Sequence, residues 1–141
     1  MTITSSSLNV DVWNSVKALI VASAPYITNS STSATTAASI VAAYNDKNQT
    51  KPQIVIYPIT KDETLNKFGE NYGKQLINIQ VECYAGNGLG ADQLCDQVEE
   101  SLRTTQIPGI SLVAVGSDIS FMNPNEAKFH VKSLTFTYDR E

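Results

Sequence analysis

QLINIQVECYAGNGLGADQLCDQVEESL, residues 75–102, changes its hydrophobic period halfway along. In the first part Ile77, Ile79, Val81 and Cys83 alternate with Asn78, Gln80, Glu82 and Tyr84. That period of two belongs to a strand with one apolar and one polar face. Asn87, Gly88 and Gly90 then break the chain, and a helix is predicted from about Ala91. Its apolar stripe is Ala91, Leu94, Cys95, Val98 and Leu102, at helical spacing. Asp92 and Asp96 lie toward the positive end of the helix dipole and Arg103 toward the negative end. Pro108 and Gly109 close it. A half-apolar strand leading into an amphipathic helix is one unit of a helix-on-sheet layer, because each apolar face needs the other to leave water.

The flanking sequence extends this unit. Downstream, Ile110–Val115 and Ile119–Met122 read as a strand interrupted near Gly116–Asp118, followed by a turn over Asn123–Ala127. A last strand, Lys128–Tyr138, alternates His130, Lys132, Leu134, Phe136 and Tyr138 against Phe129, Val131, Ser133, Thr135 and Thr137. Upstream, QIVIYP (53–58) is a dense β-branched strand. Residues 59–74 form a long mixed-charge hairpin loop, and loops of that length are commonly functional. Earlier still come a flexible polar arm (1–7) and a helix from Leu8 carrying Val12, Trp13, Val16, Leu19 and Ile20 on one face, stopped near Ser23 by Pro25. A Ser/Thr-rich loop follows at 28–36, and a short helix is predicted over Thr36–Tyr44. The expectation is a single α+β domain over 1–141. It would be a two-layer sandwich with a four-stranded, largely antiparallel or mixed sheet, one or two long helices on one face, and a long β-hairpin. The other sheet face would carry Asn78, Gln80, Glu82 and the threonines of the last strand.

Composition narrows the function. The chain has 141 residues, 42% hydrophobic and 17% charged, with a net charge of −4. A surface short of long charged side chains suits permanent contacts with other proteins. An acidic chain with scattered Lys and Arg is poorly suited to gripping DNA or anionic lipid. No cationic segment precedes a long apolar run, so neither a leader nor a membrane span is expected.

Chemistry-bearing residues are sparse. The lone histidine, His130, falls in a strand, where a structural role is expected. Cys83, Cys95 and His130 lack the spacing of a zinc site and a fourth ligand. The thiols are expected to behave as buried small hydrophobes rather than as a disulfide. The GNGLGAD turn (86–92) places its glycines at every second position and lacks a following lysine, so it fits neither phosphate-loop pattern. The expectation is therefore no catalytic residues, no cofactor and no metal.

Four stretches, PQIVIYPI (52–59), QLINIQVECYA (75–85), GADQLCDQVEESL (90–102) and FHVKSLTFTYDRE (129–141), resemble the tail terminator or tail completion (head–tail joining) proteins of long-tailed bacteriophages and related archaeal viruses. The resemblance rests on a strand ending in a V-x-C-Y-A turn, a helix of A-D-x-L-x-D-x-V character, and a final strand ending L-x-F-x-Y. It covers roughly residues 50–141, and the Ser/Thr/Ala-rich segment before residue 50 departs from it. What it implies is a homo-hexameric ring that caps the tail tube, ends its polymerisation and docks on the head connector. The partners would be other copies of the chain, the tail tube protein and the head–tail connector protein. DNA would only pass through, no membrane would be involved, and the location would be the virion neck, with assembly in the host cytoplasm. A six-membered ring would carry a charge of about −24, which keeps DNA from adhering.

A closed ring needs two different complementary patches on each subunit. The polar sheet face, with Asn78, Gln80 and Glu82, is one candidate. The 59–74 loop, with Lys61, Asp62, Glu63, Leu65, Lys67, Phe68, Glu70, Tyr72 and Lys74, is the other. Alternatives are a connector or tail-tube subunit of the same particle and, from a different class, a small ligand-binding regulatory module with its pocket near GNGLGAD.

Overall fold

The computed structural model describes residues 7–29, 31–42, 52–64, 74–121 and 130–140. The period switch at 74–102 is realised as a strand, β6 (Lys74–Ala85), running through a two-residue bend into a helix, α2 (Gly88–Thr104). Helix α1 (Leu8–Ser23) precedes them, followed by β1 (Tyr26–Thr28), β2 (Thr35–Ala37), β3 (Ser39–Val41), β4 (Gln53–Ile56) and β5 (Thr60–Thr64). After α2 come β7 (Ile110–Phe121) and β8 (His130–Arg140). The fold is α+β, with both helices on one face of a mixed sheet ordered β3-β4-β6-β8-β7. Only the β3–β4 pairing is parallel.

The core follows the two periods. Leu8, Val12, Val16 and Ile20 of α1 and Leu94, Cys95, Val98 and Leu102 of α2 are buried against Ile77, Ile79, Val81, Leu134, Phe136 and Tyr138. Each such side chain contributes about 1.5–3 kcal/mol by leaving water. Trp13 is half-buried and donates its indole N–H to the Ile56 carbonyl at 3.1 Å, tying α1 to β4. Helix α1 ends where Ala24 takes a left-handed conformation (φ 48°) and returns its N–H to the Val21 carbonyl.

The sheet gains two strands, β3 and β5, beyond the four expected, and β1 and β2 form a separate ribbon. The described part of the 36–44 segment is not a helix: Thr35–Ala37 and Ser39–Val41 are strands, and residues 43 and 44 lie outside the described residues. Ile40 packs on the core and β3 lies parallel to β4, so a distant partner overrides a local spacing that also suited a helix. Residues 28–36 are not simply a loop either, because β1 and β2 pair into a short ribbon. Two α2 glutamines hold this ribbon. The Gln97 amide accepts from Tyr26 N–H at 2.9 Å and donates to Tyr26 C=O at 2.8 Å. The Gln93 amide accepts from Thr28 N–H at 2.9 Å and donates to the Thr28 hydroxyl at 3.0 Å.

The 59–74 segment likewise opens with a paired strand. Thr60–Thr64 lies antiparallel to Lys74–Asn78, so its arms form a hairpin ladder, while residues 65–73 fall outside the described residues. The expected arm at 1–7 is described only at Ser7, the N-cap of α1. Strand β7 runs unbroken through Gly116–Asp118, held by continuous pairing to β8. Its irregularity lies instead between Leu112 and Ala114, leaving Val113 56% exposed.

Candidate assembly interface

Pairing register divides the sheet residues between two faces. The face away from the helices carries Asp62 on β5; Asn78, Gln80, Glu82 and Tyr84 on β6; Val131, Ser133, Thr135, Thr137 and Asp139 on β8; and Ala114, Gly116 and Asp118 on β7. A row of hydrogen bonds crosses three strands here. The Thr137 hydroxyl donates to the Asn78 amide oxygen at 3.1 Å, and the Asn78 amide nitrogen donates to Asp62 at 3.0 Å. Farther along, the Glu82 carboxylate accepts from the Tyr84 hydroxyl and from Gln80 at 3.4 Å. Burial, followed by the bond to Glu82, pushes the Tyr84 phenol well above its ordinary range, and burial also raises Tyr57 beside it. At this end the face is not open: Val55, Tyr84 and Val131 form a second, small buried cluster, packed against Val41 and Tyr57.

Charge is unevenly divided between the two sheet faces. Asp62, Glu82, Asp118 and Asp139 all occupy positions on the open face. Lys74 shares the parity of Asn78 and so takes an open-face register position, whereas the other described basic residues lie on the helix side. Arg103 bonds Glu99 within α2 at 2.9 Å, Lys132 reaches Asp92 of α2 at 2.8 Å, and Arg140 donates to buried Gln75 at 2.8 Å. Lys17 stands over the Trp13 ring, and Lys61 sits opposite Ile77 in the helix-facing register. The bond to Asp92 raises the Lys132 ammonium above its ordinary value.

Of the residues expected at an interface, Asn78, Gln80 and Glu82 fall together on the open face and Asp62 joins them through Asn78. Lys61 is exposed on the opposite side of the same strand. Glu63 and Lys74 are placed by their backbone pairing in the β5–β6 ladder, whereas Leu65, Lys67, Phe68, Glu70 and Tyr72 lie outside the described residues. Asp118 and Asp139 were missed. Asp139 shares the parity of Thr135 and Thr137, a signal present in the sequence. Asp118 was hidden by reading its segment as an interruption.

The residues considered for chemistry have structural surroundings. Cys83 and Cys95 are free thiols at 0% and 1% exposure, closed to any substrate. The Cys95 thiol donates to the Lys132 carbonyl at 3.7 Å. A hydrogen bond with Cys95, reinforced by burial, raises the Cys83 thiol well above its ordinary range, against thiolate chemistry. Among the described residues no three His, Cys, Asp or Glu side chains converge as a metal site. The GNGLGAD turn is filled by its own cap, with Asn87 Oδ1 accepting from Gly90 N–H at 2.7 Å. Gly90 lies close to its neighbours: a Cβ there would stand 3.0 Å from the Ala85 Cβ and push it aside. Gly86 and Gly88 face no such restriction.

Two concavities lie on the helix side. One, of about 360 Å³, runs between α1 and α2 beside Leu19 and Gln97. Another, of about 280 Å³, lies at the end of α2 beside Ile107 and Tyr138. Neither is lined by His130 or a thiol. Among the described residues no helix is long and apolar enough to cross a membrane. A scan against models of known protein families gives no match, and a search of curated proteins gives none either.

Proposed function

We propose that this chain is a structural subunit of a virus particle. It closes into a ring that caps the tail tube, stops tube growth and joins the tail to the head connector while DNA passes through. The observation that carries this reading is the gathering of carboxylate positions on one face of the sheet. One broad face is free of helices and gathers four acidic positions, Asp62, Glu82, Asp118 and Asp139, against one basic position, Lys74. A carboxylate-lined wall repels phosphate and so suits a passage through which DNA slides without sticking. The resemblance of residues 50–141 to tail terminator proteins supplies the biological setting. Buried, proton-holding thiols and a self-capped glycine turn favour a scaffold over a reaction centre.

Mass in solution combined with electron microscopy of the purified chain tests the proposal. The expected result is a closed ring of one size whose central hole is lined by acidic residues. Tubes growing without limit would make the chain a tube subunit instead. A protein that stays monomeric at high concentration and is missing from purified particles would end the ring reading.

A further inference from the structure

The sheet has two open edges, and their chemistry differs. On one side of β6 lies β8 along almost its whole length; on the other, β4 and β5 lie end to end, opposite residues 81–84 and 74–78. Strand β3 covers the far side of β4 only. Among the described residues nothing pairs along the far side of β5 or of the twelve-residue β7. An open edge is a template for another strand, and proteins that must stay apart shorten it, charge it or interrupt it with proline. Strand β3 is only three residues long, the first of these devices. Strand β7, ISLVAVGSDISF, has no proline and no lysine and carries one charge, Asp118; its irregularity at Leu112–Ala114 leaves the pairing from Val115 onward regular.

We propose that the β7 edge of one copy pairs with the β5 edge of the next, so that neighbouring sheets join head to tail and the acidic face becomes a continuous lining. The inference rests on the ring reading and specifies how the ring closes. Strand directions support it. Strands β5 and β8 both run against β6, and β7 runs against β8, so β7 runs with β6 and against β5. A rotation about an axis lying along the strands preserves those directions, and β7 therefore meets its neighbour's β5 in the antiparallel sense that forms the stronger ladder. The two edges are different surfaces on opposite sides of the subunit, as a closing heterologous contact requires.

The pleat restricts the register. Thr60 and Asp62 share the open face, as do Gly116 and Asp118, so those positions must oppose one another. Setting Asp62 opposite Gly116 keeps it away from Asp118 and brings Lys61 opposite Ser117 on the helix side, both of them exposed.

Two experiments test the joint. In the first, the Lys61→Cys/Ser117→Cys double variant is treated with a short bifunctional maleimide and run on a denaturing gel; the native thiols are too buried to react. A ladder up to the ring size, absent from either single variant, is the expected result. Rings by microscopy without a ladder would overturn the edge pairing and leave the ring reading standing. Dimers from Ser117→Cys alone would show β7 meeting β7, which also overturns it, and a chain with neither rings nor ladder would sink both. The second uses Gly116, where an added Cβ meets nothing within 4 Å, so the fold tolerates change. Gly116→Asp, facing Asp62 across the joint, should raise the concentration for half-assembly about fivefold, from like charges set directly opposite. Gly116→Lys should not. Equal behaviour of the two variants would count against this register and this joint.

Discussion

The two faces of the sheet are made by the same strands yet do different work. Along β8, Leu134, Phe136 and Tyr138 point to the helices and are buried, while Ser133, Thr135 and Thr137 between them point to the open side. On the helix side, shape and apolar area decide the fold. On the open side, beyond the buried cluster of Val55, Tyr84 and Val131, hydrogen bonds between side chains and an excess of carboxylates make a polar surface. Core packing and the character of the outer surface are thus carried by alternate residues of one strand, and each can be changed with little effect on the other.

The largest expected effect breaks one side of this division only. Phe136→Ala removes a fully buried ring and should lower unfolding free energy by about 3–5 kcal/mol, whereas Thr135→Ala next to it should stay within about 0.5 kcal/mol. Urea titration of both variants measures the contrast, and equal losses would erase the distinction between faces.

A smaller effect sharpens it. Tyr138 is 2% exposed, and its hydroxyl has no hydrogen-bond partner among the described residues. Tyr138→Phe should therefore raise stability by about 1 kcal/mol at neutral pH. Burial pushes this phenol from 10.0 up to about 12. The folded chain then holds a proton that the unfolded chain releases, so the contribution is complete below pH 10 and disappears as pH rises toward 12. Alkaline unfolding should start later in the Phe variant, and identical pH profiles would contradict the assignment. The smallest change concerns the end of α1. Ala24→Gly relieves a left-handed alanine and should add about 0.5 kcal/mol, visible as a small rise in the thermal midpoint.

What could be read from the sequence follows the reach of each signal. The stripe of α2 and the alternation of β6 are local periods, and both appear where the residues put them. The helix expected at 36–44 failed because Ile40 and Val41 are placed by β4, and a parallel partner leaves no local trace. The open face was legible in part: Asn78, Gln80 and Glu82 follow from parity within one strand. Its sign of charge was not, since Asp62, Glu82, Asp118 and Asp139 lie far apart in the chain and are gathered only by inter-strand register.

The glutamine clamp on β1 has a consequence of its own. Each side-chain amide there both accepts from and donates to the strand, a pairing that a carboxylate can make only by half. Conversion of Gln93 or Gln97 to glutamate, by mutation or by slow hydrolysis as the protein ages, would keep the acceptor and remove the donor. The ribbon of β1 and β2 would then work loose while the sheet beneath it stayed intact. Chemical age would register first as protease sensitivity in this one appendage.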